Sequence, residues 1–155
     1  MAEEIERKFL VVGDDWRQQV SSVADYRQGY LAINGDCAVR VRLQAGRAIL
    51  NIKNAASDVC RSEFDYDIPL DDAEQIYDEM CSGRRLVKRR HFVEYAGHTW
   101  EIDEFGGDNA GLIVAEIELN AVDESFARPD WVGEEVSSDL HYRNAYLAEH
   151  PYRSW

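Results

Sequence analysis

The sequence predicts an α+β fold: an antiparallel β-sheet of about eight strands that closes into a barrel, with a few short helices beside it. Apolar residues alternate with charged ones in segment after segment, which is the period of a β-strand. Turn-forming pairs such as Asn34-Gly35, Ala45-Gly46 and Ala96-Gly97 separate these segments, as in hairpins. Helical periodicity is confined to short stretches. No linker or repeat divides the 155 residues, so we expect one domain, 1–155.

The N-terminal part of the chain begins with a strand pattern that runs from Glu4 to Val12. Gly13 then interrupts the pattern, and Asp14 or Asp15 is expected to cap a short helix. That helix runs through Trp16 to Val20. Further strands are expected at Tyr26–Ile33, Cys37–Gln44, Ile49–Lys53 and Arg61–Tyr66, with a loop at Ala55–Asp58.

The C-terminal part opens with a helix that Asp71 or Asp72 is expected to cap and that ends near Met80. Strands are expected next at Arg84–Tyr95, His98–Phe105 and Ile113–Leu119. A weaker helix is expected near Asp123, irregular structure from Asp130 to Ser138, and a final helix from about Asp139 to Glu149.

The composition excludes several classes of function. The net charge of −13 opposes non-specific binding to nucleic acid or to an anionic membrane, because such binding depends on Lys and Arg. No apolar run is long enough for a membrane span, and the acidic N-terminus lacks the features of a secretory signal. We therefore expect a cytoplasmic protein that binds neither nucleic acid nor membrane. Its three cysteines are expected to be reduced.

The charged residues of the strands recur in pairs spaced two apart, which places both members on one face of a strand. The acidic pairs are Glu4/Glu6, Glu63/Asp65, Glu101/Asp103 and Glu116/Glu118, and the basic residues are Lys8, Arg40/Arg42, Lys53, Arg61 and Lys88/Arg90. Carboxylates in this spacing can hold a divalent cation, and Lys and Arg can meet an anion.

Two foldings are compatible with this pattern. The apolar face can fill a small barrel while the charges are solvated outside, which is the more usual arrangement. Alternatively, the apolar face points outward under the helices and the charges line a wide interior. The interior would then suit a metal-bound polyanion such as a triphosphate. The first stretch, Glu4-Ile5-Glu6-Arg7-Lys8, shares this ambiguity, because alternating charges also suit a solvated edge strand.

Glu4-Ile5-Glu6-Arg7-Lys8 resembles the ExExK signature of the CYTH superfamily, the triphosphate tunnel metalloenzymes. The resemblance covers essentially the whole chain and is greatest to short bacterial inorganic tripolyphosphatases. The segments that match in order are Arg27-Gln28-Gly29-Tyr30-Leu31, Arg40-Val41-Arg42, Lys53, Glu63-Phe64-Asp65, Lys88-Arg89-Arg90, Glu101-Ile102-Asp103, Glu116-Ile117-Glu118 and Gly133-Glu134-Glu135-Val136.

The resemblance implies an eight-stranded tunnel with a charged interior that hydrolyses tripolyphosphate with Mg²⁺ or Mn²⁺. The implied metal ligands are Glu4, Glu6, Glu63, Asp103, Glu116 and Glu118, with Asp65 and Glu101 as further candidates. The implied phosphate-binding residues are Lys8, Arg40, Arg42, Lys53, Arg61, Lys88 and Arg90. The implied catalytic residues are Glu4, Glu6 and Lys8, with Tyr30 as a proton acceptor. A homodimer is also implied.

The sequence departs from the family pattern near the C-terminus. Asp139-Leu140-His141-Tyr142 stands where the family often has Asp-x-Arg-Tyr, although Asn144 is retained. A histidine there would weaken a phosphate contact or make it pH-dependent. Glu134-Glu135 is equally compatible with a solvated loop and an accessory metal contact. The alternative functions are an adenylate cyclase, a thiamine triphosphatase, and a non-catalytic module that binds polyphosphate or nucleotide.

Overall fold

Nine β-strands and two α-helices form the regular structure of residues 3–54 and 58–155, the residues that the computed structural model describes. The strands are β1 Glu3–Val11, β2 Val20–Ile33, β3 Cys37–Gln44, β4 Arg47–Asn54, β5 Cys60–Ile68, β6 Arg85–Tyr95, β7 His98–Phe105, β8 Ile113–Leu119 and β9 Val132–Glu135. The helices are α1 Leu70–Met80 and α2 Asn144–Glu149. Ala55, Ala56 and Ser57 of the predicted loop lie outside the described residues.

The sheet closes on itself, as predicted. The hydrogen-bonded order is β5-β4-β3-β2-β6-β7-β8-β1, and β1 pairs again with β5 through Glu3–Ile5 to complete an eight-stranded ring. All of these pairings are antiparallel, and β9 adds to the far end of β1. Closure satisfies the backbone groups that a sheet edge would leave unpaired.

The predicted turns connect neighbouring strands. Ala96 and Gly97 join β6 to β7 with φ angles of 47° and 82°, the left-handed backbone that a tight two-residue hairpin needs. The turn after β2 is longer than predicted, because it spans Asn34 to Asp36. The Asn34 side chain accepts hydrogen bonds from the backbone N–H groups of Asp36 and Cys37 and so stabilises this turn.

The apolar face of the strands points outward, as the second of the two foldings requires. On β1, β7 and β8 it is covered by the short 3₁₀-helix that carries Trp16 and by the loop that carries Phe126 and Trp131. Trp100 lies at the centre of this layer, with ring centroids 5.6 Å from Phe9 and 5.5 Å from Trp131. Trp16, Trp100 and Trp131 are therefore packing residues.

A second outer layer lies under α1, which packs against β2, β3 and β4. Gly29 allows this close approach, because a Cβ atom there would meet Cys81 at 2.7 Å. The covering ends at β5, where the outward side chains of Phe64 and Tyr66 remain 44% and 55% exposed. The apolar outer face is thus covered on most strands but not on β5.

The barrel interior changes from charged to apolar at one end. Tyr30, Leu86, Phe105 and Val114 form that apolar end, and α2 packs against them through Leu147. The C-terminal helix therefore lies across one end of the barrel. None of the helices in the described ranges, residues 3–54 and 58–155, is long and apolar enough to cross a membrane.

Several local predictions were wrong. No helix forms in the described stretch around Asp123. The chain makes a turn there, closed by a hydrogen bond from the Glu124 N–H to the Ala121 carbonyl, and continues as a loop whose Phe126 packs on the barrel. Helix α1 begins after Pro69, so Asp71 and Asp72 lie in its first turn instead of capping it. The stretch predicted to be irregular contains β9.

The final predicted helix is interrupted. A 3₁₀ turn at Leu140–Tyr142, which Asp139 caps, is separated from α2 by the extended backbone of Arg143 (φ −74°, ψ 139°). Similarly, Asp14 makes no capping bond, and the first helix is a 3₁₀ turn over Asp15–Gln19. Strand β2 starts directly after it, six residues earlier than predicted.

Candidate active site

A cavity of about 510 Å³ inside the barrel collects much of the charge of the protein. Eight of the 17 lysines and arginines line it, although the chain as a whole is strongly acidic. They are Lys8, Arg40, Arg42, Lys53, Arg61, Lys88, Arg90 and Arg143. Seven of these eight were predicted from the sequence, and Arg143 was not. Such local concentration of cations is what an acidic protein needs in order to bind an anion.

Strand register explains why these residues meet. Across neighbouring strands, Glu6 lies opposite Glu118, Lys8 opposite Glu116, and Lys53 opposite Glu63. Because directly opposed residues point to the same face, each pairing carries the charged face of one strand onto the next. The predicted metal ligands of β1 and β8 therefore share one wall of the cavity.

One group of cations is already neutralised by carboxylates. The Lys53 Nζ atom lies 2.7 Å from Glu4 Oε2 and 3.7 Å from Glu63 Oε2. The Arg90 guanidinium contacts Glu101, and its Nη2 atom lies 3.3 Å from Glu116 Oε2. Such buried pairs fix the geometry of the wall more than they stabilise the protein.

A second group of arginines lacks such neutralisation. Within the described residues, Arg40, Arg42 and Arg61 form no ion pair with a carboxylate. Arg42 instead donates from Nε to Gln28 Oε1 at 2.8 Å and lies over the Tyr26 ring. Burial and the charges of Arg40 and Arg90 lower the pKa of Arg42 to about 10. The part of the cavity around Arg40 and Arg42 of β3 thus has positive charge in excess.

The carboxylates form a region of crowded negative charge. Burial, together with a hydrogen bond to Glu63, raises the pKa of Glu4. Burial also raises the pKa of Glu101 to about 7, and burial with the charges of Glu4 and Glu6 raises the pKa of Glu118. A cation placed among these groups would relieve both the desolvation and the repulsion.

The donor chemistry fits a hard divalent cation. In the present arrangement, no three acidic, His or Cys side chains of residues 3–54 and 58–155 converge closely enough to hold a metal by themselves. Mg²⁺ usually binds through one or two carboxylates together with water and substrate phosphates, so a complete protein cage is not required. Glu4, Glu6, Glu116 and Glu118 on one wall satisfy this requirement.

Asp103, predicted as a metal ligand, is placed differently from the other carboxylates. Its side chain is fully buried, and it does not line the cavity. One carboxylate oxygen accepts from Arg90 Nε at 2.8 Å and the other from Lys88 Nζ at 2.6 Å. Burial alone would raise the pKa of Asp103, but the charges of Arg90 and Lys88 hold it well below its usual range. Asp103 thus positions two cations.

Two of the asparagines that line the cavity hold its charged side chains in place. Asn51 donates from Nδ2 to Glu63 Oε1 at 2.9 Å and to Asp65 Oδ1 at 2.6 Å, so it holds these two carboxylates together. Asn144 accepts from Lys88 Nζ at 3.1 Å and so ties the start of α2 to the barrel. Asn51 could have been found from the sequence, because it lies two residues before Lys53 on the same strand face.

Tyr30 and Glu135 are two further residues that the sequence analysis considered for the site. Tyr30 lines the cavity but is largely packed in its apolar end, where it contacts Arg40. Glu135 does not line the cavity. Its carboxylate accepts from Arg7 Nε at 2.8 Å and from Ser137 Oγ at 2.7 Å on the outer side of β1. Glu134 and Glu135 lie in strand β9 and not in a loop, and the contacts of Glu135 are structural, which neither interpretation of this pair predicted.

Known proteins resemble this chain over its full length. A family model described as "CYTH domain" matches residues 2–152. The chain is 39% identical over 155 residues to an inorganic triphosphatase of Acetivibrio thermocellus, with 100% of this chain and 99% of that protein covered. It is 32% identical over 149 residues to an inorganic triphosphatase of Nitrosomonas europaea, with 94% and 96% covered.

Solved structures give the same result. The crystal structure of an inorganic triphosphatase superposes with a TM-score of 0.68 at 31% identity and covers 96% of both chains. A Pyrococcus horikoshii protein, at 17% identity, covers 77% of this chain and 80% of its own with a TM-score of 0.62, which shows a shared fold alone. The closed barrel, its charged interior and these full-length matches show that the chain belongs to the CYTH-domain family.

Proposed function

We propose that this protein hydrolyses inorganic tripolyphosphate to orthophosphate and pyrophosphate with the help of Mg²⁺ or Mn²⁺. The observation that carries the proposal is the divided cavity, in which arginines without carboxylate partners face a wall of crowded carboxylates. A polyanion together with a cation satisfies both sides at once. The activity named for the two bacterial relatives agrees with this reading.

The cations are proposed to hold and orient the substrate. Phosphoryl transfer depends mainly on placement and charge neutralisation. Arginine forks such as those of Arg40, Arg42, Arg61 and Arg90 bind phosphate oxygens in a fixed geometry, while lysines act as more mobile point charges. The lysines assigned to this role are Lys8, Lys53 and Lys88. With the phosphates fixed, a water can approach the terminal phosphorus in line with the leaving group.

The carboxylates are proposed to hold the cation. Glu4, Glu6, Glu116 and Glu118 are the proposed ligands, with Glu63 in support, and Asp103 is left out because both its oxygens are engaged. A bound cation would neutralise phosphate charge and lower the pKa of a water molecule beside it. Oxygen-only donors favour Mg²⁺ or Mn²⁺ over softer metals.

Tyr30 stays a predicted proton acceptor. Its contact with Arg40 also suits a simpler role, in which the phenol orients that arginine. Tyr30→Phe separates the two roles. Loss of a proton acceptor would lower kcat and change the pH profile, whereas loss of an orienting contact would mainly raise KM.

The function is tested by phosphate release from the purified protein with Mg²⁺, Mn²⁺ or EDTA. Tripolyphosphate, ATP, thiamine triphosphate and pyrophosphate are offered separately. Rapid, EDTA-sensitive release from tripolyphosphate and slow release from ATP are expected. Conversion of ATP to cyclic AMP would favour the cyclase, and preferred cleavage of thiamine triphosphate would favour that activity. Tight binding of tripolyphosphate without turnover would favour the binding module.

A cytoplasmic homodimer is proposed as the form of the protein. The uncovered Phe64 and Tyr66 on the outer face of β5 support a contact between copies, because exposed aromatic residues on one strand often mark an interface. Sedimentation of the wild type and of Phe64→Glu tests this proposal. A dimer that dissociates in the variant supports it, and a monomeric wild type contradicts it.

A further inference from the structure

We propose that Arg143 is a substrate-binding residue that acts with Arg61 to hold one phosphoryl group of the polyphosphate. The inference rests on the proposed function and deepens it. It assigns to the C-terminal segment a direct part in anion binding, supplied by a residue that the sequence patterns did not indicate.

The position of Arg143 brings it into the cavity from outside the barrel. It lies between the 3₁₀ turn at Leu140–Tyr142 and α2, and its side chain is only 18% exposed. It lines the cavity together with Arg61 of β5, which lies opposite Glu4 in the sheet register. The next residue, Asn144, is bonded to Lys88, which fixes where Arg143 enters.

The Arg143 guanidinium is not satisfied by the protein. Its Nε atom is buried and has no hydrogen-bond partner in the described part of the chain. Its ion pair is with Asp58, where Nη2 lies 3.3 Å from Oδ1, and the Asp58 side chain is 53% exposed. A buried donor without a partner and a weakly held neighbour leave most of the arginine fork available.

The two arginines also act on one another. Both line the same cavity, and burial together with the charge of Arg61 lowers the pKa of Arg143 in spite of the nearby carboxylates of Asp58 and Glu6. A phosphate between them would supply the missing acceptors and offset the repulsion, and a guanidinium fork matches phosphate geometry. The pair therefore has the chemistry of an anion site that is incomplete without its ligand.

His141 does not take this role. Its Nδ1 atom lies 2.7 Å from Asp139 Oδ1, and its ring contacts Tyr146 and Trp155. The His141 side chain is 57% exposed and lies outside the cavity lining. The cation that the C-terminal segment contributes to the cavity is thus Arg143, two residues after the position at which the family often has arginine.

The test compares Arg143→Gln with two matched controls. Arg153→Gln removes an exposed arginine from the same terminal region, and Asp58→Asn removes the present partner of Arg143. For Arg143→Gln we expect KM for tripolyphosphate to rise about 10- to 100-fold, with kcat changed far less, because hydrogen bonds to a charged group are lost. Stabilisation by tripolyphosphate in EDTA, measured by thermal unfolding without turnover, should fall in parallel. Both controls should behave as the wild type.

The outcomes distinguish this inference from the proposed function. An active wild type and an unchanged KM in Arg143→Gln would overturn the inference alone. A defect of equal size in Asp58→Asn would also overturn it, because Arg143 would then be only a tether. If the wild type neither hydrolyses nor binds tripolyphosphate, both proposals fail. Should Arg143→Gln not fold, Arg143→Lys serves, with a raised KM supporting the inference and a wild-type KM overturning it.

Discussion

Lys88 and Asp103 form a fully buried ion pair, with 2.6 Å between Nζ and Oδ2 and side-chain exposures of 1% and 0%. The same carboxylate accepts from Arg90 through both of its oxygens, from Nε at 2.8 Å and from Nη2 at 2.9 Å. One buried anion therefore orients two of the cations proposed to bind phosphate. The arrangement is costly to desolvate and is stable only while both sides are present.

Asp103→Asn should destabilise the protein severely. The amide is nearly isosteric, but it leaves Lys88 and Arg90 buried without their main counter-charge, so the free energy of unfolding should fall by about 3–5 kcal/mol. Urea denaturation measures this change. The control is Asp25→Asn, which removes an exposed carboxylate paired with Arg89 and should leave the midpoint nearly unchanged. Equal effects of the two substitutions would refute the positioning role.

Glu6→Gln and Glu116→Gln should lose metal-dependent turnover. Each removes one charge from the proposed cation-binding wall, and we expect kcat/KM to fall at least about 100-fold while the Mg²⁺ concentration for half-maximal rate rises. The control is Glu79→Gln on the outer surface of α1. Circular dichroism confirms that each variant is folded. Wild-type Mg²⁺ dependence in both cavity variants would contradict the assigned ligands.

Arg42→Gln should make the ligand-free protein more stable and should weaken its binding of tripolyphosphate. Arg42 is half-buried beside Arg40 and Arg90 without a carboxylate of its own, so we expect its removal to stabilise the ligand-free fold by about 1–2 kcal/mol. The additional stability conferred by tripolyphosphate should shrink, because an anion contact is lost.

Thermal unfolding with and without tripolyphosphate in EDTA measures both effects of Arg42→Gln. Arg47→Gln, at an exposed pair with Asp67, is the control. A variant that is less stable without ligand and equally stabilised by it would show that Arg42 is structural.

The sequence predicts the barrel well because its signals are local. Alternation and turn pairs fix most strands, and strand β8 was predicted with its observed bounds, Ile113–Leu119. The predicted cations line one cavity, and so do all the residues of the four predicted acidic pairs except Asp103, since spacing by two places them on one strand face. Depth within the barrel is not a local property. Glu101 and Asp103 share a face, yet only Glu101 reaches the cavity.

The errors concern segments whose conformation depends on distant contacts. The loop around Phe126 is held by contacts of that ring with Phe9 and Trp100, which lie far from it in the sequence. Arg143 was missed because its position in the cavity depends on how the C-terminal segment docks on the barrel. Neither feature leaves a periodic pattern in the sequence.

Glu135→Gln should destabilise the protein more at neutral pH than in acid. Hydrogen bonds from Arg7 hold the pKa of Glu135 below its ordinary value, so its stabilisation is complete above the unfolded pKa and is lost as pH falls through the folded one. We expect a deficit of about 1–2 kcal/mol near pH 7 that is smaller at pH 3, because wild-type Glu135 loses its charge as the pH falls through its folded pKa. Urea denaturation at both pH values measures it. Exposed Glu134→Gln is the control, and a deficit independent of pH would show that shape, not charge, matters.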